Sequence, residues 1–200
     1  MKITSKPRST LRALAGAAAI ATAISLEMLA APGAPRAQES AVAPEKNPPG
    51  DIPDNQVFII YKSPQGFSLK VPEGWARKDR PAGVSFTDKY GEIDVALTPS
   101  SAAPTAASAR LGEAAELEKN GRAVKISAIK DVKLPSGPAV RIVYTSNSNP
   151  NPVTNKQIRL ENERYLMEHA GKLAALTLSA PAGADNADQW KLMAESFRWN

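Results

Sequence analysis

Residues 66–75 read Gly66-Phe67-Ser68-Leu69-Lys70-Val71-Pro72-Glu73-Gly74-Trp75. Phe67, Leu69 and Val71 fall on one side of an extended chain, while Ser68 and Lys70 fall on the other. That period of two defines a half-buried strand. Pro72 cannot donate to a ladder and Gly74 accepts turn geometry, so the strand stops before Trp75. Upstream, Val57–Lys62 is a second β-rich run, and Ser63-Pro64-Gln65-Gly66 is the turn that joins the two.

The same pattern continues downstream. Val84 and Phe86 alternate with Ser85 and Thr87, then Asp88-Lys89-Tyr90-Gly91 makes a hairpin turn. Ile93, Val95 and Leu97 return on the inner side, with Glu92 and Asp94 outside. The spacing of Ala107, Leu111, Ala114 and Leu117 predicts a helix from about Ala102 to Lys119, with Pro104 in its first turn and Asn120-Gly121 as its stop. Ala123–Leu134 and Ala139–Ser146 form a hairpin about Pro135-Ser136-Gly137-Pro138. Lys156–His169 and Lys172–Ser179 form another about Ala170-Gly171. Asp185 is the expected cap of a last helix that buries Ala187, Trp190, Met193 or Ala194, and Phe197. Hairpins on both sides of a central helix, with a second helix near the end, define an α+β fold: an antiparallel sheet of about six to eight strands covered by helices.

The chain has 200 residues, 42% hydrophobic and 22% charged, with no Cys and one His. No disulfide, thiol nucleophile, Cys–zinc site or two-His metal site is available to it. Residues 1–37 carry Lys2, Lys6, Arg8, Arg12 and Arg36, with an apolar run from Ala13 to Leu26 closed by Glu27. A basic start, a short apolar core and an Ala/Pro/Gly-rich tail make a secretory signal peptide, cut after Ala34 or Ala37. Without residues 1–37 the chain holds 20 Lys and Arg against 19 Asp and Glu, a net of +1 in place of +5. The basic excess therefore belongs to the leader, and nucleic-acid binding loses its electrostatic support. Residues 38–56, with Pro44, Pro48, Pro49 and Pro53, read as a Pro-rich extended linker, leaving 57–200 as one domain.

Two stretches carry a family resemblance. The run Phe67-Ser68-Leu69-Lys70-Val71-Pro72-Glu73-Gly74-Trp75, followed by a short acidic hairpin and a helix, resembles the Mog1/PsbP-like proteins. So does a closing helix that leads into Ser196-Phe197-Arg198-Trp199. The family includes PsbP-type extrinsic photosystem II proteins, a Ran-binding nuclear protein and bacterial envelope proteins of the LpqN type. The resemblance spans about Gln65–Asn200 and implies an α/β/α sandwich. The chain departs from the lipoprotein members in having no Cys to acylate, and its leader does not suit a nuclear role.

Few residues here suggest chemistry. His169, beside Ala170-Gly171, has no nucleophile or orienting acid next to it in sequence, and a hairpin-end surface histidine explains it. Asp88, Glu92 and Asp94 offer oxygen ligands for a hard cation, but without the dense spacing of a cation loop. Trp75, Trp190 and Trp199 sit where core packing puts tryptophan. The polar loop Ser146–Asn155 and the strand face Arg159, Glu161 and Glu163 are the expected recognition surface, with Asn147, Asn149 and Asn151 as its amides. The carboxylates of such a mixed-sign face normally form ion pairs. The expectation is a monomeric, exported, periplasmic or extracellular binding module without a catalytic residue, cofactor or metal, acting on an envelope or membrane-associated protein. The alternative is a small-ligand carrier or sensor with a pocket between sheet and helix; an enzyme of another type ranks third.

Overall fold

A computed structural model describes residues 39–200; the signal peptide expected at 1–37 lies outside the described residues. In chain order the elements are β1 (Phe58–Ser63), β2 (Phe67–Pro72), β3 (Ala76–Arg80), β4 (Gly83–Thr87), β5 (Glu92–Pro99), α1 (Ala106–Leu111), α2 (Glu113–Asn120), β6 (Lys125–Leu134), β7 (Gly137–Asn147), β8 (Arg159–His169), β9 (Lys172–Pro181), α3 (Ala187–Ser196) and β10 (Arg198–Trp199). Seven strands form one antiparallel sheet in the order β3-β4-β5-β9-β8-β7-β6, and β1-β2-β10 form a smaller one. The fold is α+β, as the alternation at Phe67–Val71 and the succession of hairpins predict.

Because side chains alternate across a strand, each face of the large sheet takes every second residue. Ile93, Val95, Tyr165, Met167, Leu176 and Leu178 face the small sheet and α3, where they meet Phe67, Leu69, Trp190, Met193 and Phe197. Phe67 and Phe197 are fully buried and stack with ring centroids 5.5 Å apart. Each such aromatic contributes about 1.5–3 kcal/mol by leaving water. On the opposite face Val140, Ile142, Tyr144 and Leu166 pack against Ala109 of α1 and Leu117 of α2. The large sheet thus lies between two covering layers.

Three features differ from the sequence reading. The single helix expected over 102–119 is two short helices that meet at Gly112, whose φ −102° and ψ −91° leave helical geometry. Glycine inside a helix costs about 1 kcal/mol relative to alanine, so the break is cheap there. The break turns the expected core residue Leu111 out to 83% exposure, and Ala109 is buried in its place. Strand β3 carries no apolar alternation because every residue of Ala76–Arg80 is exposed and it pairs only with β4.

The third difference concerns the linker. Residues 39–56 contain no helix or strand, yet they lie along the domain as a strap. Ile52 is buried in the core, and its N–H donates to Asn186 Oδ1 at 2.7 Å. Asn186 Nδ2 donates to Gly50 O at 3.0 Å. Asn186, not Asp185, is the N-cap residue of α3, and its side chain holds the strap rather than the helix. Prolines remove backbone donors but do not prevent packing, so the segment gives no free reach.

Candidate functional site

Strand order brings together polar side chains that are far apart in sequence. On the face shared with α1 and α2, Glu92, Ser179, Asn162 and Tyr144 form one cross-strand row over β5, β9, β8 and β7. Asp94, Thr177 and Arg164 form the adjacent row. Elsewhere this face is apolar and covered by the two helices. Around these rows it is open, and with Arg122, Asn120 and Asn149 at its margin it forms a cleft of about 490 Å³.

The floor is tightly cross-linked. Ser179 Oγ donates to Asn162 Oδ1 at 2.6 Å, and Asn162 Nδ2 donates to Ser146 Oγ at 3.1 Å. Arg164 Nε donates to Thr177 Oγ1 at 2.8 Å, and its guanidinium pairs with Glu113 at the start of α2. Arg80 pairs with Asp94. Burial pushes the Asp94 carboxyl up despite that partner. Glu92 is also pushed up, by burial first and then by the charge of Asp94. Burial raises the Tyr144 phenol in turn. These shifts come from a partly dry polar surface, and the paired groups hold a fixed shape suited to binding.

The residues expected to form the recognition surface occupy different places. Asn147 is buried: Val42 N donates to its Oδ1, and its Nδ2 donates to Glu39 Oε1 at 3.1 Å and Ser40 O at 2.9 Å. Arg159 is buried as well, donating to Ala123 O, Asn147 Oδ1 and Thr145 Oγ1. Both spend their polar atoms on the strap and the β7–β8 end, so neither is available to a partner in this arrangement. Asn149 and Asn151 are exposed, Asn149 lining the cleft and Asn151 closing its own loop through Val153 N and Thr154 N.

Glu161 and Glu163 lie on the opposite face of β8 from Asn162 and Arg164. Glu163 pairs with Arg141 on β7 and accepts from Tyr165 Oη at 2.6 Å. Arg159 is not its ion-pair partner, because only strand pairing decides which opposite charge is adjacent. Glu161, raised by burial, accepts from Gly183 N at 3.3 Å.

The remaining candidates also have structural roles. Asp88 Oδ1 accepts from Tyr90 N and Gly91 N, so that carboxylate is spent on the hairpin turn. Among the described residues no cluster of three or more His, Asp or Glu is arranged to hold a metal ion. His169 stacks on Trp199 with centroids 5.8 Å apart. Trp190 is buried in the core, with Trp75 and Trp199 half-buried against it. Tyr144, Asn162, Arg164, Thr177 and Ser179 carried no motif; the available signal was that outward positions of three separate strands turn polar together.

A large antiparallel sheet, layered by helices on one face and by a small sheet with a helix on the other, is the Mog1/PsbP-like fold. Cyanobacterial PsbP (CyanoP) from Synechocystis sp. PCC 6803 shares it, with TM-score 0.52 and 17% identity over 76% of this chain and 98% of that one. A Bacteroides thetaiotaomicron protein matches at TM-score 0.48 and 12% identity, over 70% of this chain and 48% of that one. LpqN of Mycobacterium tuberculosis, described as involved in cell envelope biogenesis, matches at TM-score 0.43 and 17% identity, over 72% of this chain and 90% of that one. No family model and no curated protein matches the sequence.

Proposed function

We propose that this chain is an exported binding module, periplasmic or extracellular, that works at the cell envelope by protein–protein contact and without catalysis. The observation that carries this reading is the open polar floor beside α2, a preformed surface on a face that is otherwise apolar and covered. A floor whose groups bond to one another offers a rigid pattern of donors and acceptors to a polar segment of a partner. Asn149 and Asn151 belong to the proposed contact surface as its rim. The basic and apolar pattern of residues 1–37 supports export, and among the described residues no helix is long and apolar enough to cross a membrane.

A second reading, a carrier or sensor, is favoured by the position of the cleft between sheet and helix and by its volume of about 490 Å³. Its polar lining restricts that reading to a polar ligand. In-cell crosslinking of a C-terminally tagged chain separates the two. A reproducible envelope partner that is lost in Asn149→Arg and Ser179→Arg supports the proposed module. No crosslinked partner, with a thermal shift produced by a polar small molecule and lost in the same variants, supports the carrier.

A further inference from the structure

We infer that β1 is a docking edge for an extended segment of another protein, which adds to the small sheet as a fourth strand and alternates apolar with acidic residues. The inference shares with the proposed function only the premise of protein contact; it concerns a different surface.

The first ground is the backbone. Glu73 N donates to Val57 O at 2.8 Å and Gly66 N to Ser63 O at 3.2 Å, and between them Ile59 faces Val71 and Tyr61 faces Leu69. In an antiparallel ladder alternate residues direct their N–H and C=O to the same side. Residues 57, 59, 61 and 63 therefore bond to β2, and those of Phe58, Ile60 and Lys62 point away from it. Strand β1 is the end strand of its sheet, and among the described residues no other hydrogen bond reaches those groups.

The second ground is what surrounds this edge. Val57, Ile59 and Ile60 are 57%, 46% and 64% exposed, a run of apolar residues in water. A groove of about 370 Å³ lies on one side, where Ile59 and Tyr61 face Trp75 and Phe86. Another of about 560 Å³ lies on the other, between Ile60 and Leu192 of α3. Exposed edges usually carry protection against pairing. Strand β3 has Arg77, Lys78, Asp79 and Arg80, while β6 has Lys125, Lys130, Asp131 and Lys133 with a register shift at Ile126/Ala128. Strand β1 has only Lys62.

Charge selects the occupant. Lys62 on β1 and Lys70 on β2 share the outer face, with Lys191 and Arg198 beside them against Asp188 and Glu195. Among the described residues Lys62, Lys70 and Lys191 have no ion-pair partner. Acidic side chains of an added strand would meet these cations on the outer face. Its apolar side chains would enter the groove beside Trp75 and Phe86. A second copy of this chain would bring the same positive excess to the contact, which disfavours self-pairing.

The test is NMR on the purified protein with synthetic eight-residue peptides of alternating Val-Glu, alternating Val-Lys, and Val-Glu with a central Pro. The Val-Glu peptide is expected to slow amide exchange at Phe58, Ile60 and Lys62 at least tenfold and to bind at least tenfold more tightly than the other two. Ile60→Pro, which removes an outward N–H that β2 does not use, is expected to abolish this with Tm little changed, and Lys62→Glu with Lys70→Glu to reverse the preference toward Val-Lys. Equal binding of all three peptides, protection elsewhere in the chain, or undiminished binding by Ile60→Pro overturns the inference. So does protection of these amides by self-association without peptide, seen as a dimer in sedimentation. Because no cellular partner is used, failure of the cleft variants in cells leaves this result standing, and the converse also holds.

Discussion

The two faces of the large sheet are made from alternate residues of the same strands, yet they are finished differently. Toward the small sheet and α3, Ile93, Val95, Leu176 and Leu178 continue into one closed core. On the other face, Glu92, Asp94, Thr177 and Ser179 occupy the intervening positions of the same two strands. There α1 and α2 cover only the apolar part of the sheet. The first face holds the chain together, and the second leaves a row of polar groups open beside α2. A polar residue between two core positions is thus a surface residue by periodicity alone, and a site residue only when its neighbours on adjacent strands are polar too.

The sharpest way to break this contrast is to damage the closed face. Phe67→Ala removes a fully buried ring stacked on Phe197 and is expected to cost about 3–5 kcal/mol in chemical denaturation. Ser179→Ala, on the open face, removes one hydrogen bond to Asn162 and is expected to cost about 1 kcal/mol. Equal losses would mean that the polar floor is as much a part of the core as the aromatic stack.

A smaller effect tests the strap that runs to the cleft margin. Asn147→Ala removes the acceptor for Val42 N and Arg159 and the donor to Glu39 and Ser40, leaving a buried guanidinium short of one partner. The expected cost is about 2–3 kcal/mol, and protease cleavage within residues 39–50 should accelerate. Unchanged proteolysis would show that the strap is held by Ile52 and Asn186 alone.

How much of this was legible in the sequence follows from the range of each interaction. Phe67, Leu69 and Val71 announced a strand because the period of two is local, and Pro135-Ser136 and Ala170-Gly171 announced hairpins for the same reason. Strand β3 was hidden because Arg77-Lys78-Asp79-Arg80 shows only an exposed edge, without an apolar partner face. Gly112 was visible, but the helical period on either side outweighed one glycine. The strap is not legible because its prolines exclude ladder bonds while Ile52 and the amides of Asn147 and Asn186 supply other ties. The cleft could not be assembled at all without the order β5-β9-β8-β7, since Glu92 and Asn162 meet Ser179 only through it. Arg159 and Glu163 fall on one face of β8 by periodicity, but the partners that bury or pair them lie on other strands and in loops.

The smallest predicted effect separates the electrostatics of the floor from those of the strap. Glu92 is raised by burial and by Asp94, so the native state binds its proton more tightly than the unfolded chain does. Its contribution to stability therefore falls as pH rises from the ordinary carboxylate range toward neutrality. Glu39 behaves oppositely: hydrogen bonds from Asn147 and Gln157 lower it, so its contribution is present at neutral pH and is lost on acidification. Glu92→Gln should raise Tm at pH 7 by about 1 °C, an effect limited by solvent screening, and the gain should vanish near pH 4. Glu39→Gln should lower Tm at pH 7, with that loss shrinking as pH falls. Thermal denaturation of both variants across this range checks the signs. If Glu92→Gln instead lowered Tm at neutral pH, the carboxylate would have to be held as an anion by a cation of its own. The floor would then be a closed ion-pair network like the Arg141–Glu163 pair on the other face, and its openness to a partner would lose its electrostatic support.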